Sequence, residues 1–124
     1  MSCFITANRD FLSAILENLP ERIIRHSERV RNMACLMAGH VPDALLPENT
    51  TSTGYRWSLS EGAYYHDIGV YLAGNNVECR PLKGEVLLRE HWQTSAASLS
   101  HMIVLEAVRN CRERVDGSGY PPTP

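Results

Sequence analysis

The chain has 124 residues, 44% of them apolar, with 12 basic against 14 acidic side chains and a formal charge of -2. That length fits one domain, residues 1–124, with a single hydrophobic core, and the balanced charge excludes binding to a nucleic-acid polymer through bulk electrostatics. No apolar run approaches the ~20 residues needed to span a bilayer, and the start MSCFITANRD lacks the basic beginning and apolar middle of a signal peptide, so the expectation is no membrane.

Phe11, Leu12, Ile15, Leu16 and Leu19 form an apolar stripe that predicts a first helix from about Asn8 to Asn18. Pro20 suits the first turn of a second helix, which reaches about Ala38 with Gly39 as its terminator. Arg22, Arg25, Arg29 and Arg31 crowd that segment, as a local basic patch or a solvated face. From Val41 to Trp57, with Pro42, Pro47 and NTTSTG, the chain reads as an irregular insertion or lid. Ser58 and Glu61 are spaced as a capping box and predict a third helix that ends near Gly69. AGNNVECRP, Ala73 to Pro81, is a second irregular region. A fourth helix is predicted from about Lys83 to Leu99 and a fifth from about His101 to Val115; the tail DGSGYPPTP is turn-rich. No segment alternates with period two, so the fold class is all-α, a bundle of about five main helices.

Four histidines fall on stripes that should point inward. Ile23, His26, Val30, Ala34 and Met37 follow helical steps, as do Leu59, Ala63, His66 and Val70, with Asp67 beside His66. His91 shares a stripe with Gly84, Leu87, Ser95 and Leu99; His101 and Cys111 share one with Val104, Val108 and Val115. Each histidine alone reads as a neutral, hydrogen-bonded core residue or as a ligand. Several from different helices, with a carboxylate, point to one shared cation, because imidazole and carboxylate suit iron, manganese or zinc. Asp67 in an apolar run needs compensation, from a divalent cation or from an Asp–Arg or Asp–His ion pair. His40 lies near a helix end and reads as a surface residue. Cys3, Cys35, Cys79 and Cys111 are scattered without a CxxC pair, which points to free thiols in a reducing cytoplasm. Cys111 itself reads as a small core residue or a substitute ligand.

Three segments, RHSERV (25–30), AYYHDIG (63–69) and ERVDGSGYP (113–121), together resemble the HD-GYP group of the HD superfamily of metal-dependent phosphohydrolases. EHWQTSAASL (90–99) resembles the helix that carries a further family histidine, here His91. The resemblance implies an HD-type helical bundle with two or three bound divalent metal ions, commonly iron or manganese, and hydrolysis of a phosphodiester in a nucleotide or a cyclic dinucleotide such as cyclic di-GMP. It places His26, His66 and Asp67 as metal ligands and His91 as ligand of a second metal or as proton donor. Asp116, Gly117, Ser118, Gly119, Tyr120 and Pro121 match the motif loop, which the family associates with protein partners. The chain departs from the pattern at Val70, where the family has a lysine, at Cys111 and Arg112, where it has paired histidines, and at Arg22, where many members have a glutamate. The family also continues into helices that supply a closing aspartate, so the resemblance implies a C-terminally short or trimmed domain.

The chemistry expected from such a site is polarisation of a phosphoryl oxygen and activation of a water for in-line attack, with Asp67 and His91 as the catalytic side chains. Arg112 would bind phosphate or stand as a solvated helix arginine, and Tyr120 would stack on a base or plug the bundle. The alternative is a catalytically degenerate domain of the same architecture that serves as a binding or regulatory module.

Overall fold

A computed structural model describes residues 11–92, 98–112 and 118–119. Among these residues there is no strand, and the chain forms the all-α arrangement expected from its periodicity. The helices are α1 (11–17), α2 (Glu21–Ala38), α3 (Ser52–Tyr65), the single turn α4 (Val70–Ala73), α5 (Arg80–Trp92) and α6 (Leu99–Arg109). Short 3₁₀ turns, Asp43–Leu45 and Val77–Cys79, interrupt the two connections expected to be irregular. In space α2 packs on α3, α3 on α6, α6 on α5, and α4 on α5.

The apolar stripe of α1 is used as its spacing dictates. Leu12 and Ile15 are buried, and they join Ile68, Leu87, Leu88, Val104, Leu105 and Val108 in one core, with Phe11, Leu19, Tyr65 and Trp92 packed around it. Helix α2 starts directly after Pro20, which serves as its N-cap and has no N–H to leave unpaired. It ends at Ala38 as expected, but Gly39 keeps a helical φ of −64° rather than the left-handed one of a glycine cap. The helix instead unwinds through tight turns, His40 N–H to Met37 O and Val41 N–H to Ala38 O, and stops at Pro42.

Other boundaries differ from the sequence reading. Helix α3 begins at Ser52, because the Thr51 hydroxyl accepts the Gly54 N–H and caps it there. Ser58 is therefore mid-helix and fully buried, and its hydroxyl donates to the Ser100 carbonyl of α6 at 2.9 Å. Leu99 opens α6 instead of closing α5, with Ser98 as N-cap accepting the His101 N–H. On α2 the inward face carries Ile23, Ser27 and Ala38, and Met37, expected inside, is 63% exposed. The small Ser27 and Ala38 are the residues buried beside Ile23, while the larger Met33, Leu36 and Met37 face outward. Ser95 and Val115 lie outside the described residues.

The link after α3 fixes the site's position. Residues 66–69 continue in helical turns into α4, and the Gly69 backbone lies directly against the first turn of α5: a Cβ there would overlap the Arg80 carbonyl oxygen and sit 2.7 Å from the Gly84 nitrogen. The connection from α4 to α5 turns at Gly74, whose φ of +54° suits glycine. The Arg80 guanidinium closes it by donating from Nε and an Nη to the Gly74 carbonyl at 3.0 and 2.9 Å. Glu85, buried on α5, accepts from Arg89 on its own helix and from Arg109 of α6, each at 2.9 Å.

Two outcomes follow. Gly69→Ala forces a methyl into backbone and should destabilise the fold by roughly 3 kcal/mol in urea unfolding, the upper range for overpacking. Tyr65 is raised to about 12, first by burial and then by the Glu61 carboxylate. The folded state prefers the neutral phenol, so its contribution is complete below the ordinary value of about 10 and is lost as pH rises through about 12. Stability should therefore fall over that window, and Tyr65→Phe should remove that part of the fall.

Candidate metal centre

Three side chains meet where α2 faces the end of α3. His26 comes from the middle of α2, His66 caps the C-terminus of α3, and Asp67 follows it in the turn towards α4. One ligand atom from each can be chosen so that all lie within 4.8 Å of one another, and the group could hold a metal ion. Exposure falls across it: the side chain of His26 is 43% exposed, that of His66 13% and that of Asp67 5%. The site thus has an open side at His26 and a closed side at Asp67.

The local backbone sets the tautomer of His66. Its Nδ1 lies 2.6 Å from the Ala63 carbonyl oxygen, which only accepts, so Nδ1 carries the hydrogen and Nε2 is left for other partners. That Nε2 is 3.1 Å from an Asp67 carboxylate oxygen and 3.2 Å from His26 Nε2, and His26 Nε2 is 3.6 Å from the same Asp67 oxygen. Lone pairs thus converge from three directions. Such a convergence needs a positive charge at its centre, either a proton on a ring nitrogen or a divalent cation. The donor set therefore fits a metal of the kind that takes nitrogen and oxygen ligands.

The other oxygen of Asp67 accepts from the Arg112 guanidinium at 3.2 Å. The ion-pair alternative weighed for Asp67 is thus present, from both a histidine and an arginine. Burial pushes the Asp67 carboxyl up, but the His66 hydrogen bond and charge, with Arg112 behind them, outweigh it and hold the group at about 2. Burial disfavours charge on His66 too, and the Asp67 hydrogen bond with the Ala63 carbonyl reverses the effect and raises its pKa.

A cavity of about 430 Å³ opens beside the group, bounded at one end by His26, His66, Cys111 and Arg112. Cys111 is exposed at this rim and not in the core, because α6 stops at Arg109 and Asn110 turns the chain off the helical stripe. Its thiol faces the His66 carbonyl at 3.8 Å.

The remaining candidates lie elsewhere. His91 stands outside the three-residue group and lines a separate cavity with Leu12, Ser13, Leu16 and Tyr65, its ring stacked on Phe11. Burial and the neighbouring His101 lower its pKa. Its buried Nδ1 has no hydrogen-bond partner among the described residues. His101 packs edge-on against Trp57 and Trp92 and its ring nitrogen meets the Ser98 hydroxyl, a capping and packing role. His40 is exposed, as expected. Val70 opens α4, half-buried. Of the motif loop, Ser118 is exposed and Gly119 half-buried, whereas Asp116, Gly117, Tyr120 and Pro121 lie outside the described residues. Sequence reasoning missed the Ala63 carbonyl as the group that orients His66; its only signal was its place one helical turn earlier.

If Arg112 helps to keep Asp67 ionised, Arg112→Leu should raise the carboxyl midpoint from about 2 toward the ordinary 3.8, read from side-chain carbon shifts in the metal-free protein. An unchanged midpoint would assign the effect to His66 alone. By linkage, the stability that ionised Asp67 contributes is complete above about pH 4 and lost as pH falls through about 2.

Comparison with family models finds no match, and comparison with curated proteins and with solved structures finds none at significance.

Proposed function

We propose that the chain is a metal-dependent phosphohydrolase of the HD type, holding a divalent cation, iron or manganese before zinc, at His26, His66 and Asp67. The observation that carries the proposal is the meeting of these three side chains, drawn from two separate segments, within 4.8 Å. A cation bound there supplies Lewis acidity toward a phosphoryl oxygen and a water that ionises near neutral pH.

The chain's own residues divide the remaining work. Ala63 holds the His66 ring so that Nε2 faces the group. Asp67 contributes a full negative charge, since its carboxyl is held near 2. Arg112 fixes the orientation of Asp67 through one oxygen, and its guanidinium borders the cavity where an anionic phosphoester oxygen would lie. His26, the most exposed of the three, stands on the side by which a substrate enters. No step is assigned to His91, which lines a different cavity.

A second reading, a non-catalytic binding or regulatory module, is favoured by the Arg112–Asp67 ion pair, which neutralises the carboxylate without any metal. Val70 and the Cys111–Arg112 pair, in place of the residues the resemblance implies, support it too.

Protein purified without chelator should carry close to one equivalent of iron, manganese or zinc, and His66→Ala Asp67→Ala should carry none. The loaded protein should hydrolyse a generic aryl phosphate diester or cyclic di-GMP, with turnover falling to background in the double variant. Bound metal without turnover of either probe would favour the binding module, and a metal-free wild type that no added cation loads would remove the enzymatic reading.

A further inference from the structure

We infer that the ligand taken by this centre is a phosphoester of an apolar, narrow-bodied alcohol, with its anionic head at His26, His66 and Arg112 and its body along α2. The inference rests on the metal-centred reading above and narrows its substrate class. The cavity beside the three ligands is about 430 Å³, the size of a small-molecule pocket. Beyond its polar end the walls are Val30, Ala34, Leu59, Gly62, Ala63 and Ala107. A second hollow of about 380 Å³ shares His26, Val30 and Ala34 with the first and runs on to Met33 and Met37. The three shared residues set the two hollows side by side along α2 as an apolar groove, the outer part of it walled by that helix alone.

The chemistry of the walls selects the body of the ligand. A nucleobase carries several hydrogen-bonding groups that lose water on binding and need partners in the site. Apart from the polar end, the side chains described around the inner cavity offer none, and the outer hollow adds only Arg29. An alkyl body needs only apolar contact. Met33 and Met37, 59% and 63% exposed, give it unbranched walls that adapt to shape. The charge is complementary as well: Arg112 stands at the inner end where an anionic head belongs, and no acidic side chain lines either hollow among the described residues.

The test uses the whole chain and two kinds of probe. Manganese binding is measured first by the loss of the free-ion electron paramagnetic resonance signal. Ethyl, butyl, hexyl and octyl phosphate are then titrated calorimetrically into the manganese-loaded protein, below micellar concentrations, beside GMP. The expected result is affinity that rises about threefold per added methylene and a preference for octyl phosphate over GMP. Ala34→Leu fills the shared stretch of groove with a good helix former at a half-exposed position and should flatten the dependence on chain length. Manganese binding with a flat series, or with GMP bound more tightly than octyl phosphate, overturns the substrate class and leaves the metal centre standing. A slope that survives in Ala34→Leu overturns the assignment of the groove. No manganese binding overturns the metal centre and this inference with it.

Discussion

A carboxylate withdrawn from water must be met by positive charge or hydrogen-bond donors, and Asp67 is 5% exposed at its side chain. Three parts of the molecule answer that demand. Helix α3 sends His66 to one oxygen, the chain after α6 sends Arg112 to the other, and α2 brings His26 to the rim. Contacts to this one anion thus tie together three segments that are distant in sequence. The same arrangement that keeps the carboxyl ionised also presents nitrogen and oxygen lone pairs to a common point, so the requirement for neutralisation and the capacity for metal binding have one structural origin.

Close backbone approach makes that registration precise. At Gly69 the turn after Asp67 meets the start of α5, and at Gly62 a Cβ would come within 3.2 Å of Ala107 on α6. The Ser58 hydroxyl pins α3 to the Ser100 carbonyl at the other end of the same contact. Helix α3 is thus fixed along its length, and the Asp67 turn inherits that fixity. On the far side Glu85 ties α5 to α6 through Arg109, with Arg89 completing its hydrogen bonding. Helix α2 is tied to α3 by the Arg31–Glu61 ion pair at 3.2 Å, and its exposed methionines lie on its outer face.

Periodicity was enough to read the amphipathic stripe of α1, the span of α2 and the inward placement of Asp67, because each depends on local spacing alone. The meeting of His26 with His66 was legible for the same reason: helical steps put both on facing stripes. What local spacing could not convey was competition among caps and contacts distant in sequence. Ser58 and Glu61 satisfy a capping pattern, but Thr51 also caps, and the earlier start allows Trp57 to pack with Trp92 and His101. Cys111 continues a valine stripe on paper, yet the helix has ended two residues before it. His91 sits on an inward stripe, but inward there means toward Phe11 of α1 and not toward Asp67. A stripe gives the direction of the core, not the neighbour met within it.

The contact at Gly69 bears on how a run such as HDIG is to be interpreted. Its first two letters offer lone pairs, while its last is a spacer of zero width between two stretches of main chain. The close approach demands a glycine there for folding alone, whether or not the neighbouring side chains bind anything. One letter in four is therefore carpentry, and its presence carries no information about chemistry at the other end of the run.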